Sequence, residues 1–179
     1  MAPSTILLIC GSLRAGSVNG AIVDTAVIIA PENIVARRCD LMGQLPHFNP
    51  DDDREPLNPC VARLREEIAR ADAVLFCTPE YAGALPGSFK NLLDWAVGGV
   101  GMDAKPVGWI NASSPAAPAG GEDAHASLRL VLKYLAAHIV EDACVRVPAT
   151  RADVGGDGLI HNASIRNIIT NTLMHLAKT

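Results

Sequence analysis

Short apolar runs and stretches of helical periodicity alternate along the whole chain, and this alternation restricts its fold more than any other feature. The apolar runs predict five strands: Thr5–Cys10, Ile34–Cys39, Ala73–Cys77, Pro106–Asn111 and Val140–Val147. The stretches that follow them predict five helices: Asn19–Ile29, Pro59–Arg70, Gly87–Val97, Glu122–Ala137 and Asn162–Leu176. Strands that alternate with helices are typical of a parallel sheet covered on both faces.

Strict alternation of five strands and five helices predicts one α/β domain over residues 1–179, with no linker or internal repeat. We expect a doubly wound, flavodoxin-like, five-stranded parallel sheet in the order 2-1-3-4-5, with helices on both faces. The length of 179 residues and the 49 % hydrophobic composition suffice for one well-packed domain. In such a sheet, ligands bind beyond the carboxyl ends of the strands, where the strand order reverses.

Charge and composition narrow the class of partner. The net charge of −4 argues against nucleic acid, which usually binds to a basic patch. No window approaches the roughly 18 uninterrupted apolar residues of a membrane span, and the N-terminus lacks the basic region of a signal peptide. The five cysteines form no C-x-x-C pair, which favours reduced core thiols, and the five histidines form no metal-ligand set. We therefore expect a cytoplasmic protein without a metal.

The segment CGSLRAGSVNG, residues 10–20, follows the first predicted strand and is rich in hydrogen-bond donors. Its polar side chains include the hydroxyls of Ser12 and Ser17 and the guanidinium of Arg14. Asn19 is a candidate N-cap for the next helix, whose free N–H groups and dipole favour an anion. Ser17 stands where a P-loop needs lysine, and Leu13 stands where a dinucleotide fingerprint needs glycine. Two interpretations remain: a cradle for a monophosphate, or an ordinary capped turn with solvated polar groups.

A second unusual segment, CTPEYAGALPGSFKNLLDW, follows the third predicted strand at residues 77–95. Its prolines and glycines make a rigid loop that would hold backbone amides at fixed positions beside a flat ring, and Tyr81 would supply an aromatic wall. The alternative is a strand–helix connection in which the same residues only make the turn. This loop, the first loop and the loop at 112–121 should all emerge at the same edge of the sheet.

The pair GSLRAGSVN and, about 60 residues later, PEYAGALPGSFKNLLDW resembles the NADPH-dependent FMN reductase family of flavodoxin-like proteins. That family includes quinone, azo-dye and chromate reductases, and the resemblance spans nearly the whole chain. It implies that the first loop holds the FMN phosphate through Ser12, Arg14, Ser17, Val18 and Asn19. It also implies that the isoalloxazine ring lies along Pro79, Glu80, Tyr81, Ala82 and Gly83, with Ser113 touching the flavin from the loop after the fourth strand.

The resemblance further implies how such a protein works. NADPH or NADH and a small acceptor (free flavin, quinone, azo compound or metal oxyanion) would use one exposed face of bound FMN in turn. No side chain is required as an acid or base, so no catalytic residue is predicted. Relatives are usually homodimers or homotetramers, with the helix predicted at Gly87–Val97 near the interface. The sequence departs from the family pattern at Ala82, where asparagine is usual, at Ala84, and in the loop NASSPAAPAGG.

Two other functions stay open: a non-enzymatic flavodoxin-like electron carrier, and a scaffold that has lost its flavin. Four further features receive simpler interpretations. Trp95 and Trp109 are expected to be packing anchors, and Asp94 a surface or interface polar group. The run Asp51–Asp53 is expected to be a solvated loop. His125, near the start of the fourth helix, is expected to be either solvated or close to the flavin site.

Overall fold

The computed structural model describes residues 2–112 and 120–178, and within them five strands form one parallel sheet. The strands are β1 Ser4–Cys10, β2 Ile34–Cys39, β3 Ala73–Cys77, β4 Pro106–Ala112 and β5 His138–Val147. Their order across the sheet is β2-β1-β3-β4-β5, with every neighbouring pair parallel. The predicted flavodoxin-like order is confirmed.

Five helices cover the two faces of the sheet: α1 Val18–Ile29, α2 Pro59–Arg70, α3 Gly87–Val97, α4 Glu122–Tyr134 and α5 Ala163–Leu176. Side chains of β1 alternate between the faces because successive residues of a strand point to opposite sides. Ile6 and Leu8 pack with α1 and α5, whereas Leu7 and Ile9 pack with α2, α3 and α4. None of the helices in the described ranges has the length and apolar character that a membrane crossing requires.

Several element boundaries differ from the predicted ones because caps and turns decide where a helix starts and stops. Helix α1 begins at Val18, since Ser17 rather than Asn19 is its N-cap: the Ser17 Oγ accepts the Gly20 N–H at 3.0 Å. Helix α4 stops at Tyr134, before a left-handed Ala136 with φ of 55° that starts the connection to β5. Strand β5 begins at His138, two residues earlier than predicted.

The structure also tests the predictions made for the two tryptophans and for the aspartates. Trp95 and Trp109 are buried, which confirms them as packing anchors, and the Trp95 Nε1 donates to the Pro46 carbonyl at 2.8 Å. The prediction of a fully solvated acidic run is wrong for Asp53, which forms a largely buried ion pair with Arg65 at 2.8 Å. Asp94 pairs with Lys90 at 2.6 Å on the exposed side of α3.

The thiols divide into a buried and a half-buried group. Cys10, Cys39 and Cys77 are buried, as expected of core thiols, whereas Cys60 and Cys144 are half-buried. Burial raises the pKa of the Cys10 and Cys77 thiols and brings the pKa of Cys39 to about 12. These three thiols are therefore protonated and poor nucleophiles at neutral pH.

Candidate functional site

The first loop lies at the carboxyl edge of the sheet and ends in a tight turn before α1. The Ser17 N–H donates to the Arg14 carbonyl at 3.2 Å, and Gly16 takes a left-handed φ of 61° inside this turn. The amides of Val18 and Asn19, in the first turn of α1, donate no hydrogen bond to another described residue. Two free N–H groups and the positive end of the helix dipole therefore face the same corner, which suits an anion.

Two side chains of this loop have different environments. The exposed Arg14 guanidinium makes no hydrogen bond or ion pair to another described residue, so its charge is available to a ligand. Asn19 is buried, and its Oδ1 accepts a hydrogen bond from the Cys77 Sγ at 3.3 Å, which fastens α1 to the end of β3. The predicted capping role of Asn19 is wrong, since Ser17 performs it.

The second loop makes a two-residue hairpin turn. Tyr81 and Ala84 exchange backbone hydrogen bonds of 3.0 and 3.1 Å, and the central residues Ala82 and Gly83 have φ values of 51° and 70°. Two successive positive φ angles define a type I′ turn, for which Asn-Gly is the favoured sequence. The asparagine usual in the family at this position thus has a conformational reason, and Ala82 occupies the same conformation at a cost. The amides of Glu80, Ala82 and Gly83 remain free of hydrogen bonds to other described residues.

Side-chain hydrogen bonds attach this second loop to the rest of the fold. The Glu80 carboxylate accepts the Ala124 N–H at 3.1 Å, in the first turn of α4, where a negative charge also complements the helix dipole. The buried Asn111 Nδ2 donates to the Thr78 carbonyl at 2.7 Å and so links the loop to β4. The position of the hairpin turn is therefore set from both α4 and β4.

A cavity of about 360 Å³ joins the first loop to the second. Seven of the predicted site residues line it: Ser12, Arg14, Ser17, Val18, Asn19, Pro79 and Tyr81. Glu80, Ala82 and Gly83 lie in the same hairpin but do not line the cavity. Ser113 lies outside the described residues. The structure thus brings the two sequence motifs together at one edge of the sheet.

The loop after β5 also reaches this cavity, and the sequence motifs did not indicate it. It contributes Ala149, Thr150 and Arg151 to the lining. The Arg151 Nη1 donates to the Gly16 carbonyl, although 135 positions separate the two residues. A single arginine forms no sequence motif, so only the fold shows that Arg151 lies near the first loop. The sequence offers one indirect signal: the loop after a fifth parallel strand leaves the same edge of the sheet.

A larger cavity of about 560 Å³ lies on the other side of the first loop. Its wall includes Arg38, whose guanidinium is already paired with Asp24 and, at 2.6 Å, with Asp40. Arg14 borders both cavities, but the carboxylates of Asp24 and Asp40 line the larger one as well. The smaller cavity is lined by Val18 and Asn19 and, in the described part of the chain, by no carboxylate. The smaller cavity therefore offers the better anion site.

One of the two predictions for His125, a solvated side chain at the end of a helix, is wrong. Its ring meets Trp109 edge-on with ring centroids 5.5 Å apart. Burial, with a smaller contribution from the positive charges of Arg146 and Arg129, lowers the pKa of His125 to about 4. The imidazole is therefore neutral at physiological pH, and its Nε2 has no hydrogen-bond partner in the described part of the chain.

The parallel sheet in the order 2-1-3-4-5 defines a flavodoxin-like protein. Residues 4–151 match the family model for NADPH-dependent FMN reductases. The chain belongs to this family of FMN-dependent NAD(P)H oxidoreductases, and the resemblance seen in the sequence is confirmed.

Individual relatives cover most of the chain. An NAD(P)H-dependent FMN reductase of Pseudomonas aeruginosa is 32% identical over 173 residues, which cover 96% of this chain and 92% of the relative. A quinone reductase of Escherichia coli K12 is 32% identical over 138 residues, 75% of this chain and 72% of the relative. Among solved structures, the flavoenzyme NAD(P)H:(acceptor) oxidoreductase FerB of Paracoccus denitrificans superposes with a TM-score of 0.82 at 26% identity, covering 98% of each chain.

Proposed function

We propose that this chain binds FMN in the cavity between the first and second loops and transfers two electrons from NADPH or NADH to a small acceptor. The observation that carries the proposal is a positive corner: the Arg14 guanidinium and the amides of Val18 and Asn19 have no hydrogen-bond partner among the described residues. The same cavity is bordered by Pro79 and Tyr81 of the second loop. A phosphate group at one end and a flat ring at the other would fit these two ends.

The donors at the corner fit the terminal phosphate of FMN. A phosphate offers three acceptor oxygens, and the corner offers two amides, the guanidinium of Arg14 and the hydroxyls of Ser12 and Ser17. The cavity volume of about 360 Å³ lies in the range of small-molecule sites, about 300–1,000 Å³. No carboxylate lines the cavity in the described part of the chain, so no charged side chain there would repel the anion.

The second loop would act on the ring electrostatically. The chemistry that bound FMN supplies is two-electron transfer between a nicotinamide and a second molecule. The free amides of Glu80, Ala82 and Gly83 are held in position by the hairpin and by the Glu80–Ala124 hydrogen bond. Fixed N–H dipoles of this kind stabilise negative charge without reorganisation. No histidine, carboxylate, lysine or cysteine lines the described part of the cavity.

We propose a quinone as the acceptor class to test first. Several relatives that are 32% identical to this chain carry the name quinone reductase. Tyr81 is 52% exposed at the rim of the cavity, where it offers an aromatic surface to a flat acceptor. Free flavin, azo compounds and metal oxyanions are the alternatives within the same site.

We also propose that the protein is a cytoplasmic homodimer or homotetramer that associates through the side of the sheet carrying α3 and α4. Large apolar side chains are exposed there at Val97, Val100, Leu130 and Tyr134. Val100 is 92% and Tyr134 84% exposed, so both side chains are open to a partner subunit. Free cysteines suit a reducing compartment. Light scattering of the purified chain, compared with a Tyr134→Glu variant, tests the association.

Absorption spectra test the proposed activity. The purified protein should retain added FMN through gel filtration and show a flavin band that bleaches when NADPH is added without oxygen. Adding a quinone should restore the band and sustain NADPH oxidation. A pure electron carrier would hold FMN but not bleach with NADPH, and a scaffold that has lost its flavin would remain colourless; either result contradicts the proposal.

A further inference from the structure

Arg151, which belongs to no sequence motif, contacts the first loop from a distant part of the chain. Its guanidinium donates to the carbonyl of Gly16, and both residues line the cavity proposed for FMN. This hydrogen bond joins the first loop to the loop that follows β5. The two nearest guanidinium nitrogens would lie 3.1 and 3.4 Å from a Cβ at Gly16, so the whole fork sits against this turn.

The backbone that carries Arg151 is fixed on both sides. Thr150 and Asp153 form a capping box around it. The Asp153 Oδ2 accepts hydrogen bonds from the Thr150 N–H at 2.8 Å and from the Thr150 hydroxyl at 2.9 Å. These bonds lower the pKa of Asp153, so its carboxylate stays ionised and the box stays closed at neutral pH. The direction in which Arg151 leaves the backbone is therefore set by local structure.

Charge explains what this arrangement does at the corner. A carbonyl oxygen carries partial negative charge, and the Gly16 carbonyl belongs to the turn that precedes the free amides of α1. Because the Arg151 guanidinium donates to this carbonyl, its partial negative charge is offset. A guanidinium has five N–H donors, so several remain after the bond to Gly16. Two guanidiniums and no carboxylate line the described part of the cavity, which matches a phosphate of nearly two negative charges.

We propose that Arg151 is a second phosphate-positioning residue: it holds the Gly16 carbonyl and, with Arg14, binds the terminal phosphate of FMN. The proposal rests on the proposed function, since it concerns the same cavity. Its consequence is that the loop after β5, and not the first loop alone, decides how strongly the protein prefers FMN over riboflavin, which lacks the phosphate.

The test is a pair of titrations with the flavin-free protein, following the quenching of flavin fluorescence by FMN and by riboflavin. Arg151→Ala should weaken FMN binding about 10- to 100-fold, because a charge-assisted hydrogen bond is lost, and change riboflavin binding by less than about twofold. Arg151→Lys should recover part of the affinity, since lysine keeps the charge but lacks the fork. Asp153→Ala, which removes both hydrogen bonds of the capping box but keeps the arginine, should weaken FMN binding by a smaller factor.

A matched control and the wild type separate the possible failures. Arg63→Ala removes an arginine of α2 that is 66% exposed and pairs with Glu67, away from the cavity, and should change neither titration. If Arg151→Ala leaves FMN affinity unchanged, or weakens FMN and riboflavin by the same factor, the role of Arg151 is refuted. If the wild type binds no FMN, the proposed function itself is refuted. Unchanged riboflavin binding in Arg151→Ala also shows that the variant is folded.

Discussion

Ala82 is an alanine in a conformation that alanine disfavours, and replacing it should stabilise the protein. Its φ of 51° places it at the first central position of the type I′ turn between Tyr81 and Ala84. The left-handed region costs an L-residue with a Cβ about 1–2 kcal/mol. Asparagine and glycine occupy this region more readily, and Ala82 is exposed, so additional atoms meet solvent.

The magnitude follows from two opposing effects. Ala82→Gly removes the strain but adds about 0.4–1 kcal/mol of unfolded-state entropy, so we expect a net gain of about 0.5 kcal/mol. Ala82→Asn relieves much of the strain without that entropic cost, so we expect about 0.5–1 kcal/mol. For a chain of 179 residues, 1 kcal/mol shifts the melting temperature by about 2–4 °C. Thermal unfolding of the flavin-free protein, followed by circular dichroism, should therefore show a rise of about 1–4 °C.

Two control variants isolate the cause. Ala136→Gly replaces another left-handed alanine, with φ of 55°, remote from the cavity, and should give a similar rise. Ala62→Gly, at an exposed position inside α2, should instead lower the free energy of unfolding by about 1 kcal/mol. If Ala82→Gly and Ala82→Asn both lower the melting temperature while the controls behave as stated, the turn is not strained in the way described.

Three further outcomes are expected. Arg14→Ala should weaken FMN binding by about 1.5–3 kcal/mol and leave riboflavin binding nearly unchanged; equal losses for both in calorimetry would exclude a phosphate contact. The His125 ring should titrate near pH 4 by NMR, and a midpoint near 6.5 would contradict its burial. The free energy of unfolding should fall as the pH drops from about 6.5 towards 4, because over this range the unfolded chain binds the proton and the folded chain does not. Gly121→Ala should destabilise the fold by about 2–4 kcal/mol in urea unfolding, because φ is 86° and the new Cβ would lie 1.9 Å from the Asn111 Oδ1. An unchanged free energy of unfolding would show that α4 starts differently.

The sheet was predictable because its signal is local and repeated. Each strand is a continuous apolar run, as expected when both faces are covered, and the predicted bounds of β2 and β3 agree with the structure. Helix ends were less predictable, since several residues compete for the same cap. Ser17 and Asn19 are both good N-caps, and the choice of Ser17 leaves Asn19 free to contact Cys77 inside the protein.

The candidate site was predictable only where motifs describe it. The first and second loops carry recognisable spacing, and the fold brings them to one cavity. Arg151 and the ion pair of Asp53 with Arg65 depend on contacts between distant segments, which leave no pattern in the local sequence. The environment of His125 has the same origin: packing against Trp109, on β4, is a property of the fold rather than of the helix start.

A crystal structure of this chain with FMN tests the central claim most directly. We expect the phosphate within hydrogen-bonding distance of the Val18 and Asn19 amides and the Arg14 guanidinium, at donor–acceptor separations of about 2.7–3.2 Å, and the ring system beside Tyr81. A phosphate found in the larger cavity next to Arg38, or a corner filled by the protein's own atoms while FMN binds elsewhere, would contradict it.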